Sequence, residues 1–136
     1  MLKTIVLDTP EKESLTNITA AVEEVVKASG VQEGICVLYV PHTTAGLINN
    51  SGMDPATAVD LLDELRRLVP TRVDFKHQYD TPADAAGHIK SSLLGVSQTL
   101  IVTGGQLALG HSQSILFCEF DGPRQRRVIV RVMADV

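Results

Sequence analysis

An uninterrupted apolar stretch, residues 35–40 (Ile-Cys-Val-Leu-Tyr-Val), is the feature that most constrains the fold. A strand with one wet face alternates apolar and polar residues, whereas a continuous apolar run is typical of a strand buried on both faces. Pro41 ends this strand, because its ring carries no N–H for a sheet, and it places His42 in the next loop. We therefore expect a strand that other parts of the protein cover on both sides.

Helical and strand patterns follow one another along the rest of the chain. Helices are predicted at residues 15–28, with Ser14 as N-cap, from Asp54-Pro55 to Pro70, and from Thr81-Pro82 to Gly95. Strands are predicted at residues 2–7, 75–77, 99–103, 106–109, 114–120 and 127–133, with turns at Gly104-Gly105 and Asp121-Gly122-Pro123. Helices clustered on one side of mostly antiparallel strands indicate an α+β fold with about three helices, in a single domain spanning residues 1–136.

The apolar residues of the predicted helices recur at helical spacing and indicate which face is buried. In the second helix the predicted buried stripe consists of Val59, Leu62, Leu65 and Val69. In the third helix the predicted inner face consists of Ala85, Ile89 and Leu93.

Composition and charge limit the classes of function. The chain has 136 residues, of which 44% are hydrophobic, so it can build a core. Its 12 basic and 16 acidic residues give a net charge of −4, which argues against broad nucleic-acid binding. Cys36 and Cys118 lie in apolar runs and are predicted to be buried free thiols. Without a signal peptide or a run of roughly 20 apolar residues for a membrane helix, we expect a cytoplasmic protein.

Four histidines, His42, His77, His88 and His111, are the candidates for chemistry. Imidazole is the commonest metal ligand and the commonest general acid or base near neutral pH. Asp84 precedes His88 by four residues on the third helix, so both point to one face, where a carboxylate can fix the histidine's tautomer. The alternatives are structural: His42 would satisfy loop backbone groups, and Asp84 with His88 would be an exposed pair.

Basic residues mark candidate anion sites. Lys90 and Ser91 follow His88 of the third helix by two and three positions and are placed to meet an anion. Arg124, Arg126 and Arg127 stand close together near the end of the chain, and Arg131 follows. Arginine binds phosphate with two parallel hydrogen bonds and keeps its charge. The equally weighted alternative for this group is a solvated strand terminus that protects a sheet edge.

Taken in order, these segments resemble one family over nearly the whole chain. The first block is His42-Thr43-Thr44-Ala45-Gly46-Leu47 with Asn50, Asp54-Pro55 and Leu68-Val69-Pro70. The second is His77 with His88-Ile89-Lys90-Ser91-Ser92-Leu93-Leu94-Gly95, and the third runs from Leu109-Gly110 through Gln113 to Glu119-Phe120-Asp121-Gly122-Pro123-Arg124. Together they resemble the YjbQ-like family of small uncharacterised proteins, often labelled secondary thiamine-phosphate synthase enzymes.

The resemblance implies a compact α+β fold with a barrel-like core, assembled as a homotrimer with a polar pocket shared between subunits. It implies that His42, His77 and His88 are the catalytic residues and hold a divalent metal, zinc first, since three histidines with an open fourth position suit catalytic zinc. It places a small phosphorylated molecule, rather than nucleic acid or membrane, against eight binding residues: Thr43, Thr44, Asn50, Lys90, Ser91, Gln113, Arg124 and Arg127.

The chain departs from the family pattern at several positions. Ser51 stands where the family commonly has Glu, and His111-Ser112 replaces Thr-Trp. Asp80 matches the usual acidic residue, but Thr81 replaces the glycine after it. These changes are expected near the pocket. Two hypotheses follow: a weak thiamine-phosphate synthase-like transferase, and a non-catalytic trimer that binds a small phosphorylated metabolite. The missing carboxylate at Ser51 leaves fewer groups for proton transfer and leans toward the second.

Overall fold

The computed structural model describes residues 1–77 and 81–136, and within these ranges it contains three helices and eight strands. The strands are β1 (Leu2–Asp8), β2 (Ser14–Asn17), β3 (Gly34–Tyr39), β4 (Ala45–Ser51), β5 (Ser97–Thr103), β6 (Gln106–Leu107), β7 (Gln113–Glu119) and β8 (Gln125–Ala134). The helices are α1 (Thr19–Ser29), α2 (Pro55–Leu68) and α3 (Pro82–Leu94). No helix among these residues is long and apolar enough to cross a membrane.

The strands form two antiparallel sheets that enclose the core. The larger sheet has the order β1-β8-β3-β5-β6, and the smaller has the order β2-β7-β4. Alternate residues of β3, β7 and β8 meet two valines of α1 in one cluster of buried side chains, among them Val22, Val26, Cys36, Leu38, Phe117, Val128 and Val130. The predicted α+β class, the antiparallel sheet and the three helices are confirmed.

The strand predicted to be buried on both faces is covered on only one face by this chain. Cys36 and Leu38 of β3 are fully buried, whereas Tyr39 keeps 49% of its surface exposed. Register places Ile35 beside Ile101 of β5, which is 58% exposed, and beside Met133 of β8. Arg131 of β8 lies on the same face, opposite Val37. We call this largely apolar surface the outer sheet face and define it by Ile35, Val37, Tyr39, Ile101, Ile129 and Met133.

Long-range pairing overrides the helical pattern at the start of the first predicted helix. Residues 14–17 form β2 and pair with β7, so the prediction of Ser14 as an N-cap was wrong. The helix begins at Thr19, and Asn17 Oδ1 accepts hydrogen bonds from both the backbone N–H and the hydroxyl of Thr19. Gly30 follows the helix with a positive φ, as glycine commonly does at a helix end.

Both later helices begin and end as predicted, but their buried faces differ from the prediction. Asp54 caps α2 and Thr81 caps α3, each through its side-chain oxygen. Val59 of α2 is 56% exposed, and of the predicted stripe only Val69 is fully buried. Ala85 of α3 is buried, whereas Ile89 and Leu93 are 40% and 62% exposed. Leu62 and Leu65 are half-buried, so the chain covers both apolar stripes only in part.

Two further predictions of strands need correction. Residues 75–77 form no strand. Residues 45–51, where the sequence predicts no strand, form β4, because every residue pairs with β7, from Ala45 opposite Glu119 to Ser51 opposite Gln113. This pairing matters for the site, since it fixes the loop that carries His42 beside the turn between β7 and β8. The backbone N–H of Phe120 donates to Thr44 O at 3.0 Å and joins the two segments.

Candidate functional site

Two of the predicted histidines meet a carboxylate at the start of α3. His77 Nε2 lies 2.6 Å from Asp84 Oδ2, and His88 Nε2 lies 3.3 Å from the same oxygen. The two imidazole rings are perpendicular, with centroids 4.9 Å apart. Ligand atoms of all three residues lie within 4.8 Å of one another, a spacing that one metal ion can bridge. We call His77, Asp84 and His88 the His–Asp cluster.

Local structure explains how α3 builds this cluster. The Thr81 hydroxyl accepts the Asp84 N–H at 3.2 Å and starts the helix, so the Asp84 carboxylate is free to point at the histidines. His88 lies one turn later on the same face. Burial acts to raise the pKa of Asp84, but hydrogen bonding to His77 and the charge of His88 act against it, and this pKa lies below its ordinary value. Asp84 is therefore ionised at neutral pH.

His42 does not take the third position of the cluster that the resemblance implied; Asp84 does. The loop before β4 places His42 Nε2 2.9 Å from the backbone N of Arg127, whose N–H it accepts. Burial and then the positive charges of Arg126 and Arg127 lower the pKa of His42 below its ordinary 6.5. The ring is therefore neutral at neutral pH, with its proton on Nδ1 and its Nε2 lone pair already used.

A buried ion pair between Arg126 and Glu119 forms the opposite wall. Arg126 Nε donates to Glu119 Oε1 at 2.8 Å, and its Nη2 donates to the Thr44 hydroxyl at 2.8 Å. Burial acts to raise the pKa of Glu119, but hydrogen bonds from Arg126, Thr9 and the Asp121 backbone hold it below its ordinary 4.5. Both side chains are buried and charged, so the arginine is held in one orientation.

Sequence reasoning grouped Arg126 with its neighbours but left it out of the binding residues. The sequence nevertheless indicates that Arg126 is buried. This residue shares its face of β8 with Val128, Val130 and Val132, which all point into the core. A charged residue at a core-facing position requires a buried partner. Glu119, at the end of the apolar run of β7, is that partner.

One cavity joins these groups. It has a volume of about 410 Å³ and lies between the His42–Thr44 loop, the His–Asp cluster and two arginines, Arg124 and Arg126. Arg124 is half-exposed at this cavity, where its Nε donates to Asp121 O at 2.7 Å and its Nη2 to Asp121 Oδ2 at 2.8 Å. A cation on the cluster and an anion toward the arginines would face each other across this space. We call it the polar cavity.

The other predicted binding residues are divided between the cavity and the rest of the fold. Thr43 and Thr44 line the polar cavity. Lys90 is buried, and its Nζ donates to Glu13 Oε2 at 2.7 Å, so its charge is neutralised inside the fold. Ser91 is also buried and donates to Ala45 O at 2.6 Å. Arg127 contributes its backbone N–H to His42, while the residue itself is exposed.

Ser51, which departs from the family pattern, lies at the end of the smaller sheet far from the polar cavity. The predicted binding residues Asn50 and Gln113 lie at the same end. Asn50 accepts the N–H of Ser51, and Gln113 accepts the N–H of Gly110. The pairing of Ser51 with Gln113 is six positions along β4 from that of Ala45 with Glu119, a separation of roughly 20 Å. His111 is exposed in the turn before β7. Asp80 lies outside the described residues, and Thr81 caps α3.

Comparisons with known proteins agree over the full length of the fold. The family model described as "UPF0047 protein YjbQ-like" matches residues 3–135. UPF0047 protein MJ1081 of Methanocaldococcus jannaschii is 41% identical over 95% of this chain and 91% of its own. UPF0047 protein YugU of Bacillus subtilis is 38% identical over 98% and 99%. The crystal structure of hypothetical protein APE1520 from Aeropyrum pernix superposes with a TM-score of 0.94 at 32% identity, covering 99% of both chains.

Proposed function

Because the chain belongs to the YjbQ-like UPF0047 family, we propose that it is a metal-dependent enzyme acting on a small phosphorylated molecule. One observation carries the proposal: the Asp84 carboxylate sits between two imidazoles on the wall of a cavity that also presents Arg124 and Arg126. The cluster would hold the metal, and the arginines would face the phosphoryl oxygens.

The donor set of the His–Asp cluster fits zinc. Two imidazole nitrogens and one carboxylate oxygen form a three-residue set of the type found in catalytic zinc sites, which keep a fourth position open. Bound zinc would polarise a phosphoryl oxygen and acidify a water. Asp84 is ionised, so it needs no proton release before it binds a cation. His42 stays neutral beside the site and offers Nδ1–H as a hydrogen-bond donor.

Charge balance makes anion binding depend on the metal. Each arginine of the polar cavity is already paired with a carboxylate, Arg126 with Glu119 and Arg124 with Asp121, which also pairs with Lys12. Asp84 adds a further negative charge to the wall. Phosphate therefore meets little net positive charge until a divalent cation occupies the cluster.

The same pairing supports a non-catalytic binding protein as the second candidate. Glu119 is committed to Arg126, and Asp84 is committed to the two histidines. Among the described residues that line the cavity, these bonds leave few groups to move a proton. Such a protein would capture a phosphorylated metabolite without turning it over.

Turnover separates the two candidates. We expect the zinc-loaded protein to convert either a phosphate monoester or a pyrimidine diphosphate with a thiazole phosphate, and the variant His88→Ala to lose this activity. A mass-spectrometric product assay, with rescue of a thiamine-requiring strain beside it, is the measurement. Tight binding of the same compounds without product, and without rescue, would contradict the enzymatic proposal and favour the binding protein.

The outer sheet face supports assembly into a homotrimer. It is a largely apolar surface, interrupted by Arg131, on the strand whose sequence predicts burial on both sides. The same end of β3 and β8 leads to His42 and Arg127, so a neighbouring subunit on this face would approach the polar cavity. Buried free thiols at Cys36 and Cys118 are compatible with a reducing, cytoplasmic location.

A charge on the outer sheet face is expected to break the trimer. Ile101→Glu adds a carboxylate to an exposed position, so each chain still folds, but burial of the face would now require an unpaired charge. Light scattering coupled to size exclusion should show a fall from three 14.7-kDa chains to one. The matched control is Val59→Glu, at a similarly exposed position on α2, which should leave the mass unchanged. A trimer that survives Ile101→Glu would place the interface elsewhere.

A further inference from the structure

A second cavity shares two walls with the polar cavity. His77 and His88, which line the polar cavity, also line a space of about 390 Å³ together with Phe75, Ala85 and Ile89. The histidine pair therefore separates the charged groups of the polar cavity from a space lined by these three apolar side chains and by Lys76. We call the second space the apolar chamber.

Several features make the chamber a defined surface rather than an incidental gap. Ala85 and Ile89 lie one turn apart on the same face of α3, and both line the space together with Phe75. The guanidinium carbon of Arg72 lies 4.5 Å from the centroid of the Phe75 ring and steadies it from another side. Ile89 remains 40% exposed although its position repeats with the helix's buried residues.

We propose that the apolar chamber binds a ring-sized apolar group carried by the phosphorylated ligand, so that the ligand is a phosphate monoester of an aromatic alcohol. This inference rests on the function proposed above. The phosphoryl group would face the His–Asp cluster and the arginines, and the ring would pass the histidine pair to contact Phe75 and Ile89. A volume of about 390 Å³ lies near the lower end of small-molecule sites, which suits one or two rings.

Non-hydrolysable phosphonates test the chamber separately from the polar cavity. The zinc-loaded protein is titrated calorimetrically with inorganic phosphate, methylphosphonate and phenylphosphonate. These ligands have similar anionic head groups and differ in the size of the apolar group attached to phosphorus. Burying a phenyl ring should make phenylphosphonate bind about 10-fold more tightly than methylphosphonate. Equal affinities, with inorganic phosphate still bound, would overturn the chamber while leaving the proposed function intact.

Two variants one turn apart on α3 test whether the phenyl group binds in the apolar chamber. Ile89→Asn replaces an apolar wall of the chamber with an amide at an exposed position, so the fold is retained. It should abolish the preference for phenylphosphonate and change inorganic phosphate affinity less than about 3-fold. Leu93→Asn, one turn later and more exposed, should change neither. A phenyl preference that survives Ile89→Asn would overturn the inference. Failure of the zinc-loaded protein to bind inorganic phosphate would overturn the proposed function itself.

Discussion

Replacing Arg126 with methionine is expected to lower the free energy of unfolding by about 3 kcal/mol or more. The variant leaves Glu119 fully buried without its counter-charge. Removing one partner of a buried pair costs far more than removing a surface pair, because the remaining charge stays desolvated. Hydrogen bonds from Thr9 and from the amides of Phe120 and Asp121 still reach Glu119, so the expected loss lies at the lower end of the usual range.

The pH dependence and two controls identify the cause. In the wild type the lowered pKa of Glu119 stabilises the fold above pH 4.5, and this contribution is lost as the pH falls through that lowered pKa. In the variant, burial raises this pKa instead, so the difference between the two proteins should shrink as the pH falls toward 4.5. Denaturant unfolding should show Arg127→Met, at an exposed arginine, within about 0.5 kcal/mol of wild type.

A double variant completes the test of the ion pair. Glu119→Gln combined with Arg126→Met removes both charges, so it should recover much of the stability lost in Arg126→Met alone. A loss below about 1 kcal/mol in Arg126→Met, or a double variant less stable than it, would show that the pair does not hold this wall of the cavity.

Replacing Asp84 with asparagine is expected to weaken zinc binding by about 100-fold or more. Changes to groups that merely orient metal ligands weaken metal binding by about 10- to 100-fold. Asp84 is itself a ligand in the proposed site, so its loss should have at least as large an effect. Asparagine keeps the size of the side chain but removes the negative charge that lies between His77 and His88. Thr81 still caps α3 through the backbone N–H of residue 84, so the helix should be retained. Competition with a chromogenic chelator gives the affinity.

Two histidine variants serve as controls for Asp84→Asn. His111→Ala removes an exposed imidazole and should leave zinc affinity unchanged. His42→Gln tests whether His42 is a metal ligand, as the family resemblance implies. In the structure its Nε2 already accepts the Arg127 N–H, so we expect that it does not bind the metal. We expect a change of less than about 3-fold for His42→Gln, below the effect of altering an orienting group. Zinc affinity that falls with His42→Gln and persists in Asp84→Asn would show that the metal binds elsewhere.

Sequence reasoning succeeded where local chemistry decides the structure. The caps Asp54 and Thr81 and the turn at Gly104-Gly105 act within a few residues, so they could be recognised directly. It failed at β2 and β4, because residues 14–17 and 45–51 become strands only by pairing with β7, about 100 and 70 positions further along the chain. Local propensity contains no information about such a partner.

In the candidate site, too, the sequence predicts the local features and misses those that depend on distant residues. The spacing of Asp84 and His88 predicted that they share a helix face, and they do. That His77 joins them depends on the backbone between α2 and α3, which no periodicity describes. Lys90 was predicted to meet an anion, but Glu13, from the segment before β2, reaches it and neutralises its charge. The chain covers only one face of the continuous apolar run of β3, which is why the outer sheet face is part of the proposed trimer.

The dependence of anion binding on zinc is the most direct test of the site as a whole. Isothermal titration of inorganic phosphate into zinc-loaded and zinc-free protein measures it in one experiment. Glu119, Asp121 and Asp84 together balance the positive charges of Arg126, Arg124 and Lys12. Zinc should therefore tighten phosphate binding by at least about 10-fold, and phosphate should tighten zinc binding by the same factor. Equal phosphate affinity with and without zinc would contradict a shared metal and phosphate site in the polar cavity.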